Sequence, residues 1–285
     1  MTEAANDPSV WGGSLPWPGP DAHKHQRGRL GVVSGGALNT GAARLAARAG
    51  LRIGAGVVRL LCPPDAAPIV AASVEAVMVS EFATPDGLGR LAEPMDCVVI
   101  GPAAGLTEVT AYNLQALSRT GAALVVDADA LTLFRDRSGQ LFDCLDRDDV
   151  LTPHEGEFER LFPGLLTEGR EAAARQAAST SGAVVVLKGR ETVIAAPDGR
   201  LRVNGNGVPW LATAGSGDVL AGMIGGLIAQ RMDSFEAACA AVWMHADAAR
   251  RFGPGLIAED LPDLIPAVLG ELWPARGVDA ASPPV

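Results

Sequence analysis

The sequence predicts a single α/β domain, a central and mostly parallel sheet covered by helices on both faces. Three observations predict it. Short apolar runs recur along the chain with Ala-rich helical stretches between them, and those runs are continuously apolar, as in strands buried on both faces. The chain of 285 residues has length enough for one large domain with a core that needs no staple. Glycine is in excess, 34 residues where ~7% is usual, and much of it stands beside the apolar runs, where backbone must approach something closely.

Taken in order, residues 1–28 are rich in Pro, Gly and Trp (Trp11-Gly12-Gly13, Pro16-Trp17-Pro18-Gly19-Pro20) and read as an arm or capping segment. The domain proper is expected over 29–270, with a flexible tail at 271–285, most clearly from Pro274. Strands are expected at 30–33, 57–61, 97–100, 123–126, 150–152 and 184–187, and helices at 41–50, 108–118, 156–161 and 168–179. Pro153 pushes Thr152 to extended geometry and ends its strand there. After Lys188 the pattern changes. Segments 192–196 and 201–203 read as two strands joined by a tight turn at Asp198-Gly199, followed by helices at 218–230, 234–252 and 259–269.

Composition excludes several classes of function. With 23 Lys plus Arg against 33 Asp plus Glu, the net charge of −10 repels phosphate backbones and argues against general nucleic-acid binding. The longest stretch free of charged residues, Val203 to Gly217, falls short of the roughly 20 apolar residues that span a membrane. Cys62, Cys97, Cys144 and Cys239 stand far apart, with no metal-ligand spacing, and the N-terminus lacks a basic-then-apolar signal segment. A cytoplasmic protein with reduced thiols is expected.

The loops after the expected strands carry the chemistry, because ligands of open α/β sheets sit beyond the carboxyl ends of strands. Ala214-Gly215-Ser216-Gly217-Asp218 leads straight into an apolar helix, so free N–H groups and the positive helix end can meet an anion. Asp218 there is either a complement to the helix dipole or a general base for a hydroxyl attacking phosphorus. Gly222, Gly225 and Gly226 read as packing positions on the same helix. Lys188, just past a strand end, can hold phosphate as a point charge, although alone it reads as a solvated turn. His154 and Glu157 follow another strand. Glu157 either holds a metal-bound water or orients a partner, against a plain reading as a helix start. The loop Ser34-Gly35-Gly36 onward lacks both GxGxxG and GxxxxGK spacing. Asp127 and Asp129 read as helix caps. His23, His25 and His245 have no partner by spacing and read as surface or ordinary core residues.

The motifs in order are HKxxxGRLGVVSGG from His23, TGAARLAARAGLRIGAG from Thr40, GPAAG from Gly101, VVDADAL from Val125, LTPHEGEFERL from Leu151, LKGRET from Leu187, NGNG from Asn204 and GSGDVLAGMI from Gly215. Together, over about 24–270, they resemble the ADP/ATP-dependent NAD(P)H-hydrate dehydratases of the ribokinase-like superfamily. Vitamin kinases of that superfamily tend to show TPNxxE where this chain has Thr152-Pro153-His154-Glu155-Gly156-Glu157. The resemblance implies ADP-favoured dehydration of the S epimer of NAD(P)H hydrate, a damaged dinucleotide, with magnesium and ADP or ATP. It implies hydrate binding at Ala42, Gly105, His154 and Asp218, and nucleotide binding at Lys188, Gly189, Arg190, Glu191, Thr192 and Gly217. Asp218 would be the base and Gly215, Ser216 and Gly217 the anion hole; the candidate metal residue, through water, stays Glu157 from the reading of its own segment. It also implies a homotetramer and a separate epimerase as functional partner, since the sequence has no room for an epimerase domain.

Two departures stand out. The family often has GPGLG where this chain reads Gly101-Pro102-Ala103-Ala104-Gly105, and an aromatic is common near Ala37-Leu38-Asn39. Two other readings compete. A kinase of the same fold, acting on a hydroxyalkyl heterocycle, would use Asp218 and the anion hole equally well, and a catalytically silent nucleotide-binding protein would not need Asp218.

Overall fold

The computed structural model describes residues 4–273. Ten strands form one sheet: β1 (Ala4–Ala5), β2 (Arg29–Val33), β3 (Val57–Cys62), β4 (Met78–Glu81), β5 (Cys97–Ile100), β6 (Ala123–Val126), β7 (Val150–Leu151), β8 (Val184–Leu187), β9 (Thr192–Ala195) and β10 (Leu201–Asn204). Their spatial order is β1-β10-β9-β8-β7-β6-β5-β2-β3-β4. Every pairing is parallel except the two that β9 makes, with β8 and β10. The central strands β5 and β8 are buried at every position, which is why their sequences run apolar without alternation.

Helices cover both faces. Gly41–Arg52, Ser216–Ala229, Ser234–Phe252 and Leu261–Leu272 bury their apolar residues against one face. Pro85–Ala92, Glu108–Leu117, Glu155–Leu161 and Arg170–Ser181 do so against the other. The helix Ser216–Ala229 is buried almost throughout and lies very close to its neighbours. A Cβ on Gly222 would come within 2.1 Å of the Ala46 carbonyl oxygen, and one on Gly226 within 2.4 Å of the Ile53 side chain. These glycines are packing positions, as the sequence suggested.

The expected strands all form, with ends shifted by a residue or so. Several elements were not visible in the pattern, among them the short helices Ala67–Ala71, Asp129–Thr132 and Ser138–Phe142. Strand β4 lies at a sheet edge with mixed exposure, so it shows no apolar run. The helix Pro85–Ala92 contains two glycines and starts on proline, which hides its helical period. The segment read as an arm includes a docked strand and a short helix, Pro8–Trp11, capped by Asp7. Glu271 and Leu272, expected in the flexible tail, belong to the helix Leu261–Leu272, and the rest of that tail, from Pro274, lies outside the described residues.

Candidate active site

The chain runs from β2 outward to β3 and β4, then returns to β5 on the other side of β2. The connections therefore diverge at the carboxyl ends of β2 and β5, the switch point where open α/β sheets bind ligands. The loops there are layered tightly. A Cβ on Gly35 would meet the Ala103 carbonyl oxygen at 2.1 Å, and one on Gly101, whose φ is +120°, would meet that of Asp127 at 1.8 Å. Ala103 has a φ of 53°, a left-handed conformation that glycine adopts without strain. It occupies the position of the middle glycine in the GPGLG pattern.

Lys188 stands at the centre. It follows β8, and its amide donates to the Pro153 carbonyl at 2.9 Å, which ties its backbone to that of His154. Its Nζ donates to Asp127 Oδ1 at 2.8 Å, with Asp127 only 2% exposed. Burial works to strip the proton from Lys188, but the charge and hydrogen bond of Asp127, joined by Glu157 and Asp218, outweigh it and hold the ammonium pKa above its usual value. Asp127 is thus the counter-ion of the site lysine rather than a helix cap.

The N-terminal end of Ser216–Ala229 faces this pair. Gly215, at φ 87°, leads into the helix, and no side chain caps its first turn. A Cβ added to Gly217 would lie 3.5 Å from Lys188 Nζ and 3.8 Å from Asp127 Oδ2, so nothing stands between the helix end and the ammonium. Asp218 lies in that first turn. Burial, then the charge of Asp127, raise its carboxyl to about 6, against a partial opposing pull from Lys188 and a further push from Asp129. His245 sits beneath the turn, its Nε2 3.0 Å from the Ser216 carbonyl oxygen and 3.3 Å from Ser216 Oγ. Burial lowers the His245 pKa to about 4, so the imidazole is neutral there. It is a core residue with a defined partner.

His154 and Glu157 form a reciprocal cap on the helix Glu155–Leu161. His154 Nδ1 accepts from the amides of Gly156 at 3.0 Å and Glu157 at 3.2 Å, while Glu157 Oε2 accepts from the His154 amide at 2.9 Å. With Nδ1 an acceptor, the ring proton is on Nε2, which lies 3.5 Å from Glu157 Oε1. Burial raises the Glu157 pKa above the usual carboxylate value, against the opposing hydrogen bond from the His154 amide. The plain reading of this segment, a helix start, is what the structure shows, and it leaves the His154 side chain 57% exposed.

The turn that carries Gly189, Arg190, Glu191 and Thr192 joins β8 to β9. Arg170 holds it from below, one guanidinium nitrogen donating to the carbonyls of Leu187, Lys188 and Glu191 at 3.1–3.3 Å and the other pairing with Glu155. Gly189 lacks a side chain because that guanidinium occupies its place, 2.5 Å from where a Cβ would be. Gly105 (φ 90°) donates its amide to Asp129 Oδ2 at 2.9 Å, and Asp129 in turn bears on the Asp218 carboxyl. Ala42 lies in the first turn of Gly41–Arg52, one turn before Leu45, which would meet a Cβ on Gly215 at 2.7 Å.

The fold therefore groups Lys188, Gly217, Asp218, His154 and Glu157 at one end of the strands, with Gly105 on an adjoining loop and Ala42 at the start of the helix Gly41–Arg52. Sequence reasoning missed four supporting residues. Asp127 and Asp129 stood in a strand-end loop that could have flagged them. Arg170 and His245 reach the site only through tertiary contact, with no local signal.

Comparison with known proteins bears on what this arrangement does. Residues 30–266 match a family model described as NAD(P)H-hydrate dehydratase. A bifunctional NAD(P)H-hydrate repair enzyme of Gloeobacter violaceus is 43% identical over 80% of this chain and 46% of its own length. The chain spans about half the length of several such curated relatives. An ADP-dependent (S)-NAD(P)H-hydrate dehydratase of Xanthomonas campestris is 36% identical over 90% of this chain and 93% of its own. Among solved structures, an ADP/ATP-dependent NAD(P)H-hydrate dehydratase from Bacillus subtilis, co-crystallized with ATP/Mg2+, superposes with a TM-score of 0.82 at 26% identity, covering 95% of this chain and 99% of that one. The fold is ribokinase-like.

Proposed function

Because the chain belongs to the NAD(P)H-hydrate dehydratase family, we propose that it uses ADP, or ATP, to dehydrate the S epimer of NAD(P)H hydrate and restore NAD(P)H. AMP and phosphate are released when ADP is the donor. The observation that carries this reading is the Asp218 carboxylate, held in the first turn of an uncapped, glycine-led helix and facing the ion pair of half-buried Lys188 with buried Asp127.

Nucleotide phosphate lies against the amides of Gly215, Ser216 and Gly217, that of Ser216 also donating to the Thr213 carbonyl at 3.4 Å, with Lys188 opposite and the turn bearing Gly189, Arg190, Glu191 and Thr192 along the nucleoside. The hydrate lies between Ala42, Gly105, His154 and Asp218. Asp218 takes the proton of the ring hydroxyl as that oxygen attacks the terminal phosphorus. The new O–P bond forms as the bond to the departing nucleotide oxygen breaks. A poor hydroxide leaving group has then become phosphate. The ring C–O bond breaks with the help of the ring nitrogen's lone pair, and loss of a proton from the neighbouring carbon restores the dihydronicotinamide. Asp218 serves as base only when ionised, so with its carboxyl at about 6 the rate rises as pH climbs through 6 and levels off above.

Among the described residues no three His, Cys, Asp or Glu side chains are grouped to cage a metal ion. That suits magnesium, which usually enters on phosphate oxygens and keeps much of its water. Glu157 is the residue that would meet it, through water, and its contribution would be cation charge between the phosphates. No helix among the described residues is long and apolar enough to cross a membrane. On the same reading the protein works in the cytoplasm, as a homotetramer, beside a separate epimerase that converts the other epimer.

The test is absorbance at the dihydronicotinamide band after mixing the protein with hydrated NADH, magnesium and either ADP or ATP. A nucleotide-dependent rise is expected and names the donor. Intact hydrate after incubation transfers the site to a kinase acting on heterocyclic alcohols.

A further inference from the structure

The amino-terminal segment is bound to the nucleotide side of the site by a continuous chain of polar contacts. Strand β1 runs along β10, with Ala5 opposite Val203, and the Asn6 amide continues that ladder to the Val203 carbonyl at 2.8 Å. Trp11 is fully buried, its ring edge-on to Trp243 at 5.8 Å. Its indole Nε1 donates to Asn6 Oδ1 at 3.1 Å. Asn6 Nδ2 donates to Asn204 Oδ1 at 3.0 Å and to the Cys239 carbonyl at 2.7 Å. Asn204 Nδ2 donates to Asn206 Oδ1 at 2.7 Å, and Asn206 Nδ2 to the Trp243 carbonyl at 3.0 Å.

The chain can run in only one direction. An indole nitrogen only donates and a backbone carbonyl only accepts, so both ends are fixed and each amide between them has one permitted orientation. Asn6 and Asn204 are buried, where an unmatched donor or acceptor is costly. The far end of this chain abuts the nucleotide turn twice. Asn204 is the cross-strand partner of Thr192, and a Cβ on Gly207 would lie 3.0 Å from the Arg190 carbonyl oxygen.

We propose that residues 4–11 are a positioning element for the turn that carries Gly189 to Thr192, acting through the one-way amide chain from Trp11 through Asn6 and Asn204 to Asn206. Asn6 touches no reacting atom. It fixes the orientation of Asn204 and, through Asn206, the course of 205–208 against Arg190. This role rests on the reading of that turn as the nucleotide site, and it predicts that damage to the segment falls on nucleotide affinity and spares the hydrate.

The test compares full-length wild type with three variants. Asn6→Asp keeps the shape and loses the donor. Trp11→Phe keeps apolar bulk and loses the indole N–H. Leu114→Ala is a control that removes buried apolar volume on the opposite face of the sheet. Binding of ADP and of ATP is measured by calorimetry, with melting temperature, kcat and both KM values alongside. Asn6→Asp is expected to weaken nucleotide binding about fivefold or more, with kcat and the hydrate KM within about twofold of wild type. Trp11→Phe shifts the same quantity in the same direction by less, and it carries the test if Asn6→Asp does not fold. Leu114→Ala lowers the melting temperature without moving nucleotide affinity. Nucleotide affinity in Asn6→Asp and Trp11→Phe equal to that of Leu114→Ala overturns the role while leaving the functional reading intact. A folded wild type that binds neither ADP nor ATP overturns both.

Discussion

Two helices present their N-terminal ends to the same site and are finished in opposite ways. Glu155–Leu161 is sealed: His154 and Glu157 cap each other's backbone, and three N–H groups that would otherwise be free are satisfied. Ser216–Ala229 starts on Gly215 with no side-chain cap, although it is twice as long and almost wholly buried. A helix end with glycine in place of a side-chain cap forgoes roughly a few tenths of a kcal/mol. On the proposed reading, the difference marks where the ligand's negative charge belongs. The sealed end fixes a side chain, His154, while the open end, on that reading, meets a guest's phosphate and carries Asp218, a carboxylate that burial alone would disfavour.

The largest expected effect comes from removing the cation opposite the open end. Lys188→Met leaves Asp127 buried without its partner, which costs about 3–5 kcal/mol of stability, and it removes the charge proposed to meet phosphate. Adding Asp127→Asn should restore most of the melting temperature but none of the nucleotide affinity. Recovery of both in the double variant would mean that Lys188 serves only the fold.

Gly217→Ala sharpens the contrast further, because the space beside Gly217 accepts a methyl at ordinary contact distance. Alanine inside a helix is better than glycine by roughly 0.5–1 kcal/mol, so thermal stability should rise slightly. Nucleotide affinity should fall about tenfold or more, because the methyl stands where phosphate approaches the amides. Unchanged affinity, measured by calorimetry, would leave the open end without a guest. At the sealed end, Glu157→Gln retains an oxygen acceptor for the His154 amide. Chemical denaturation should therefore register a change within about 0.5 kcal/mol.

Much of this was legible beforehand, and the exceptions have physical causes. The parallel core strands declare themselves because burial on both faces leaves no room for polar residues, and Gly-Ser-Gly-Asp before an apolar helix announces an open helix end. Asp127 was read as a cap because an aspartate after a strand is usually one, and nothing local shows that Lys188, 61 residues later, returns to it. Arg170 and His245 act on backbone far away in sequence, so only the fold reveals them. The Ala103 departure from the family's glycine was visible, but its consequence was not. Its left-handed backbone, φ 53°, marks a position where Ala103→Gly should stabilise the protein by up to about 1 kcal/mol in thermal melting. A loss of stability there would mean that the alanine methyl contributes packing that outweighs the strain.

On the proposed function the open helix end binds phosphate while Asp218, and not the helix, performs the proton transfer. Asp218→Asn tests it directly, with nucleotide binding by calorimetry and hydrate turnover by absorbance measured on one preparation across pH 5–8. Nucleotide affinity close to wild type is expected, with turnover lower by about 10²–10⁴-fold and without the rise through pH 6 expected of the wild type. The variant is also expected to be more stable than wild type at neutral pH. An ionised Asp218 with a raised carboxyl opposes folding fully above about pH 6, and that penalty is gone below the unfolded value of 3.8. Turnover near wild type, or an unchanged pH profile, would take the base role away from Asp218.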